Sequence, residues 1–349
     1  MNVLVFLLTL SVLVFVHEFA HFLAAKRAGV EVEEFGFGLP PRLFGRKFKG
    51  TLYSLNLLPV GGFVRLKGES GEVLGFGDRG SFSHASKKDR AFIILAGVLG
   101  NLVLAFFIFL ILSLVGNPRF SGQVIVDGVS QGSPAFLSGL KSGDVISRID
   151  QVVVDDMSKL VQYTDAHRGQ EVELTLIREG QEVKVTAVPR VNPPENEGPL
   201  GVRLNIKGEI VYDRSSIFLA PVKALEEVGR SIYLVLFGLF SIIKTLLTFN
   251  VPQGVTGVVG IYKLSSEASG IGWRVFLQFV ALLSVNLAVF NSLPIPALDG
   301  GRLIFVLAEK VLKRRISSKV ETVVNNVGLA FLLVIFVLIT ISDIKKFWG

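Results

Sequence analysis

The 349-residue chain contains no cysteine. Disulfides, thiolate metal sites and cysteine nucleophiles are therefore excluded, and any metal must be held by His, Asp or Glu. Histidine is scarce as well, with four in the whole chain. Charge is thin: 19% of residues are charged against 50% hydrophobic, and the mean hydropathy is +0.56. Such a composition excludes a disordered chain and argues against an ordinary soluble enzyme. Yet 65 charged side chains, 36 basic and 29 acidic, must still find water, so lipid-facing helices are not the whole protein. The net charge of +7 is modest, and its distribution is more informative than its size.

Long apolar runs supply that distribution. A helix of roughly 20 apolar residues crosses the hydrocarbon core. Four segments read as spans: Asn2 to about Ala25, Ala91 to Val115, Val275 to Leu293, and Val327 to Ile341 with Val323 and Val324 extending it. The first lacks a basic leading region and a small-residue cleavage site, so it reads as a retained helix rather than a signal peptide. Four crossings put Lys26–Arg90 and Gly300–Thr322 on one side. These carry 18 Lys/Arg in 88 residues, against 15 in the 157 residues of Asn117–Trp273. The positive-inside rule makes the two basic loops cytoplasmic and puts both termini and the long middle segment outside.

Val16-His17-Glu18-Phe19-Ala20-His21 contains H-E-x-x-H inside the first span. Residues four apart share a helix face, so both imidazoles can reach one Zn²⁺, and the intervening glutamate can take a proton from a metal-bound water. Three ionisable groups in an apolar span are costly unless paired or metal-bound. A catalytic zinc takes three protein ligands. His84, in a polar loop, and His167, in an extramembrane domain, are poorly placed. Asp299 is the best-placed oxygen, at the end of Asn291-Ser-Leu-Pro-Ile-Pro-Ala-Leu-Asp299-Gly-Gly, where Pro294 and Pro296 break a helix. Its alternative is a loop acid that opens the next turn. The two motifs can meet only if both helices run outside to inside, with one return crossing between them. Pro221–Phe249 is apolar, but a crossing there would carry Asp299 to the wrong side. With Arg230, Lys244 and recurring small polar residues, it reads as an amphipathic helix in the outer interface.

At this point the residues resemble a known family. His17-Glu-Phe-Ala-His21 and Asn291-Ser-Leu-Pro-Ile-Pro-Ala-Leu-Asp299-Gly are similar to the site-2 protease family of intramembrane zinc metalloproteases. Phe35-Gly-Phe-Gly-Leu-Pro40, Leu58-Pro-Val-Gly-Gly-Phe-Val-Arg-Leu-Lys-Gly-Glu69 and Gly97-Val-Leu-Gly-Asn101 resemble its bacterial branch, typified by the regulator of sigma-E protease. The resemblance implies one zinc per chain on His17, His21 and Asp299, with Glu18 as general base. It implies that Asn291, with Pro294, positions the substrate or the oxyanion, and that Asn101 sits near the active site. An interhelical hydrogen bond is the plainer role for Asn101. It also implies substrates that are single-pass membrane proteins already shortened outside, such as anti-sigma factors or signal-peptide remnants. A nucleic-acid partner is not expected.

The expected fold is a polytopic α-helical membrane protein with four transmembrane helices, a membrane-associated β-hairpin or sheet, and an inserted extracytoplasmic PDZ-like α+β domain. In chain order the expected parts are helix 1 at 1–25, a cytoplasmic β-containing loop at 26–90, helix 2 at 91–115, the PDZ-like domain at 116–190, a linker and interfacial helix at 191–273, helix 3 at 274–300, a cytoplasmic loop at 301–322, and helix 4 with the tail at 323–349. The PDZ-like segment is single, where the best-known family member has two. Ser133-Pro-Ala-Phe-Leu-Ser-Gly-Leu140 and Lys141-Ser-Gly-Asp144 carry that resemblance. Thr51–Leu58 and Val30–Phe37 have β character and would offer an edge strand to an unwound substrate. Rival readings are a membrane scaffold presenting a PDZ domain and a proton-relay transporter. The bacterial cytoplasmic membrane is the expected location.

Overall fold

A computed structural model describes residues 3–69, 80–194, 197–247, 256–314 and 316–348. Glu195 and Asn196 of the expected linker, the last two residues of the expected interfacial helix, and Arg315 lie outside them. The chain divides into two compact units, Pro118–Asp213 and a second made of everything before and after it.

The larger unit begins with α1 (Val3–Arg27), then β1 (Val32–Phe48), β2 (Thr51–Leu66) and α2 (Lys87–Val115). It resumes with α5 (Ala220–Leu247), α6 (Val258–Ile271), α7 (Trp273–Ser292), α8 (Asp299–Leu312) and α9 (Ser318–Trp348). Five described helices are long and apolar enough to cross a membrane: Val3–Arg27, Lys87–Val115, Ala220–Thr245, Trp273–Ser292 and Val320–Lys345. The count exceeds the expected four by one, and the addition is the stretch expected to lie in the interface. α2 starts cleanly because Ser86 caps it, its hydroxyl accepting from the Asp89 N–H at 3.1 Å. α7 stops where Pro294 and Pro296 withdraw backbone donors.

Leu13 of α1, Ala105, Phe109 and Leu112 of α2, Ala224 and Val228 of α5, and Val280 to Val289 of α7 bury one shared apolar core. The start of α5 is tied to the end of α2, since the Ser215 N–H donates to the Ser113 carbonyl at 2.8 Å. The start of α6 is tied to the far end of α9, where buried Asp343 accepts from the Gly257 and Gly260 N–H groups at 2.9 Å each.

β1 and β2 form one sheet in which each strand is used twice. Glu34 to Phe37 pair on one side with Arg65 to Gly62 and on the other with Leu52 to Leu55, while Arg42 to Phe48 pair with Asn56 to Thr51. Between these segments, Ser11 of α1 satisfies backbone groups: its hydroxyl lies 2.6 Å from the Pro59 carbonyl and accepts from the Gly61 N–H at 3.1 Å. Backbone polar groups at membrane depth need internal partners of this kind.

The inserted unit holds β3 (Asn117–Val129), α3 (Pro134–Leu137), β4 (Val145–Ile149), β5 (Val152–Val153), α4 (Met157–Ala166), β6 (Val172–Arg178), β7 (Gln181–Ala187) and β8 (Val202–Asp213). Its sheet order is β7-β6-β4-β3-β8, with β5 added to β4. Val124, Val126, Ile146, Ile149, Leu160, Leu174 and Leu176 are fully buried between sheet and helix. The buried Asp144 pairs with Arg178 through two 2.7 Å hydrogen bonds and accepts from the Lys141 N–H at 2.8 Å. Burial alone would raise the Asp144 carboxyl, but these hydrogen bonds outweigh it and hold it below the usual carboxylate range. A depressed folded-state value means the pair's stabilisation is complete above about pH 4, the unfolded value, and is lost as pH falls through the lower folded value. Asp144→Ala is expected to destabilise this unit by about 2 kcal/mol at neutral pH. Hydrogen exchange in the intact, detergent-solubilised chain should show faster exchange at Val126 and Ile146. The difference from the wild type should shrink in acid.

Candidate metal centre

Of the two elements that carry the candidate ligands, α1 brings His17, Glu18 and His21, and α8 brings Asp299 as its first residue. The pairing spans 278 positions of sequence, yet His17 Nε2 and His21 Nε2 lie 2.9 and 3.2 Å from Asp299 Oδ2 and 3.1 Å from each other. Both imidazoles are buried and Asp299 is nearly so. Among the described residues, these three form a group whose ligand atoms all lie within 4.8 Å of one another.

The hydrogen bonds around this group fix its chemistry. His21 Nδ1 lies 2.7 Å from the Ile93 carbonyl, which can only accept, so the ring proton sits on Nδ1 and Nε2 presents a lone pair. His17 Nδ1 lies 3.2 Å from Asn101 Nδ2, while Asn101 Oδ1 is buried with no hydrogen-bond partner. Turning that amide about gives Oδ1 the His17 Nδ1–H, an assignment the heavy atoms permit equally. His17 Nε2 then also presents a lone pair. Two imidazole lone pairs and a carboxylate oxygen facing one point repel each other unless a cation lies among them. The donor set, two nitrogens and one oxygen, suits Zn²⁺ with one coordination position left for water. Each ring is held from behind by a hydrogen bond, as ligand imidazoles require.

Close approach of α1 and α2 makes this possible. A Cβ on Gly97 would lie 2.3 Å from His21 Nε2 and 2.6 Å from His17 Cε1. Gly97 is therefore the floor on which both rings rest. Asn101, one turn further, points to His17, and its backbone carbonyl accepts from Ser284 of α7 at 2.8 Å. Asn101 thus touches His17 through its side chain and links α2 to α7 through its carbonyl.

Glu18 faces the sheet. Its carboxylate accepts from the Val64 N–H at 3.2 Å, on the free edge of Gly62–Leu66. The next N–H on that edge, Leu66, donates to Glu69 at 3.2 Å, and Glu69 is also ion-paired to Arg302 of α8. A cavity of about 720 Å³ opens along this edge, lined by His17, Glu18, His21, Phe63 to Leu66, Asn291 and Asp299 among others. Asn291 therefore shares the cavity with the ligands. Pro294 lies in the break between α7 and α8 and is not among the lining residues. Gly97 and Val64 fall inside motifs of the sequence that give neither a role of its own, and Ile93 falls in none. No side-chain signal could have found the last two, because they act through backbone atoms.

The chain matches the model of peptidase family M50 over residues 5–335. It is 35% identical over 348 residues to a protein of Clostridium perfringens that bears a zinc metalloprotease name, covering 99% of this chain and 98% of that one. It is 28% identical over 432 residues to the zinc metalloprotease RasP of Shouchella clausii, covering the full length of both. A solved PDZ domain from the SdrC-like protein of Listeria monocytogenes aligns to 25% of this chain and 90% of its own, at 20% identity and a TM-score of 0.22. The chain belongs to peptidase family M50, the site-2 protease family, and is a multi-pass membrane zinc metalloprotease.

Gly97→Ala is expected to displace the imidazoles and weaken zinc binding by at least about tenfold, the worth of one lost ligand interaction. Gly229→Ala, where an added Cβ meets nothing within 4 Å, should leave binding unchanged. Chelator competition on the two purified variants checks both.

Proposed function

We propose that this chain is an intramembrane endopeptidase that hydrolyses unwound transmembrane segments of single-pass proteins, with His17, His21 and Asp299 as zinc ligands and Glu18 as general base. The observation that carries the reading is the convergence of three acceptor atoms from α1 and α8 beside a carboxylate and a free strand edge, in one cavity. A zinc ion on these ligands would supply an acidified water and a Lewis acid for the carbonyl oxygen. The chain's own residues do the rest. Glu18 takes a proton from the water as its oxygen bonds to the scissile carbonyl carbon, then delivers that proton to the amine as the C–N bond breaks. Asn291, on the cavity wall, orients the substrate carbonyl or its oxyanion.

A helical substrate hides its carbonyls in i→i−4 hydrogen bonds and must be extended before attack. The edge of Gly62–Leu66 supports that step, because Val64 and Leu66 direct N–H groups toward the cavity two residues apart, the repeat of an added strand. The acceptors on them in this structure, Glu18 and Glu69, are side chains that a substrate strand displaces. Releasing Glu18 from Val64 also frees the base for its water. This edge lies beyond the Thr51–Leu58 segment that the alternation of the sequence points to.

The same reading orients the chain. Asp299, just after α7, meets His17 and His21 in the second half of α1, which supports α7 running in the same direction as α1 and opposite to α2, so that no net crossing falls between the end of α2 and the start of α7 and α5 does not cross. Four net crossings then leave both termini and the inserted unit outside the bacterial inner membrane, with the Arg- and Lys-rich loops inside. The inserted unit acts as a PDZ-like filter over substrates already shortened on the outer side, with anti-sigma factors and signal-peptide remnants as the classes implied.

Glu18→Gln should retain zinc and lose about a thousandfold in cleavage of a model membrane-span substrate. A variant that keeps its turnover ends the assignment of the base, and a wild type free of zinc ends the protease mechanism. Val64→Pro removes the N–H at the centre of the edge. It should slow cleavage about tenfold at constant zinc content. Unchanged turnover would sink the strand-addition step while leaving the metal site standing.

A further inference from the structure

The segment that delivers Asp299 is held in a conformation that it would not keep alone. Between α7 and α8 the chain turns through Leu293 to Leu298 with two short-range hydrogen bonds, Ile295 N–H to Leu293 at 2.7 Å and Leu298 N–H to Ile295 at 3.2 Å. Ala297, two residues before Asp299, has φ +72°, the left-handed region that an alanine disfavours because its Cβ crowds the backbone. Its N–H donates to the side-chain oxygen of Asn325 on α9 at 3.2 Å. One turn along α9, Gly328 lies against the preceding residue: a Cβ there would fall 2.4 Å from Pro296 Cβ and 2.8 Å from the Pro296 carbonyl oxygen. A bare helix backbone and one amide thus grip the Pro296–Ala297 pair from the same face of α9. Asn325 also lines the metal cavity.

We infer that Asn325 is a positioning residue for the metal centre, holding Ala297 left-handed so that Asp299 starts α8 with its carboxylate on the two imidazoles. Nothing else in the break fastens the Ala297 N–H among the described contacts. Without Asn325 the peptide before Leu298 relaxes toward negative φ, the first turn of α8 rotates, and Oδ2 leaves the point where the imidazole lone pairs meet. The inference rests on the reading of Asp299 as a ligand. It makes α9, the last long apolar helix, part of the site although it contributes no ligand.

The test uses the intact chain loaded with Zn²⁺ or with Co²⁺, whose visible bands report ligand geometry where zinc is silent. Asn325→Ala should raise the zinc dissociation constant about tenfold, as loss of one part-buried hydrogen bond would. It should also shift the cobalt bands. Glycine adopts φ +72° without strain, so adding Ala297→Gly to Asn325→Ala should return the dissociation constant to within about twofold of the wild type and restore the spectrum. Such rescue is not expected if Asn325 only packs α9 against its neighbours. An Asn325→Ala variant with wild-type spectrum and affinity overturns the inference, as does a perturbed variant that Ala297→Gly leaves unrescued. A wild type that takes up neither metal ends the ligand reading itself, a result distinct from both.

Discussion

Three acceptor atoms brought to one point inside an apolar protein are the constraint on which this structure depends. Two imidazole nitrogens 3.1 Å apart and a carboxylate oxygen within 3.2 Å of both are mutually repulsive without a cation. The arrangement around them is what such a cluster requires. Gly97 removes the atom that would keep α2 away from the rings. The Ile93 carbonyl and Asn101 hold the outer nitrogens, so that the inner lone pairs stay directed inward. The break at Pro294 and Pro296 lets a helix begin at Asp299 in the required place. Each feature has a cost when taken singly, in helix contacts, in buried polar atoms or in backbone conformation. Together they are consistent with one metal.

A second constraint is the satisfaction of the backbone away from water. The sheet of β1 and β2 carries irregular backbone beside apolar helices, and its unpaired groups find side-chain partners: Ser11 at Pro59 and Gly61, Glu18 at Val64, Glu69 at Leu66. The partners at the edge are carboxylates, one of them the residue proposed as the base. In the proposed reaction a single displacement therefore serves both ends, since an arriving strand takes the edge donor and releases Glu18. The hydrogen bond that closes the edge in the free protein occupies the place where a substrate would be bound.

Much of this was legible beforehand because it depends on local spacing. H-E-x-x-H puts two imidazoles on one helix face whatever else the chain does, and two prolines in three residues interrupt a helix in any context. Lack of cysteine leaves oxygen as the remaining type of third ligand beside two imidazoles, and Asp299 is the acid at a broken helix end. The sheet was legible only in outline. Alternation pointed to Thr51–Leu58, but the free edge beside Glu18 is Gly62–Leu66, a stretch that opens on a glycine and has no clean alternation, because the register shifts after Leu58. The Ala220–Leu247 helix shows a similar limit: its apolar content suits a span, and whether it crosses depends on the direction of α7, which no local pattern sets.

The sequence by itself determined the candidate ligands and base, the apolar helices and the sidedness of charge, because these follow from residue chemistry and from periods of a few residues. Only the tertiary structure decided that Gly97 floors the metal site, that Ile93 and Val64 act through their backbones, and that Asn325 reaches across to Ala297. The reason is physical. Backbone donors and acceptors are the same at every position, and the absence of a Cβ matters only where another element comes close. Contacts across 84 positions, as between Asn101 and His17, or 278, as between Asp299 and His21, are set by packing that no local pattern encodes.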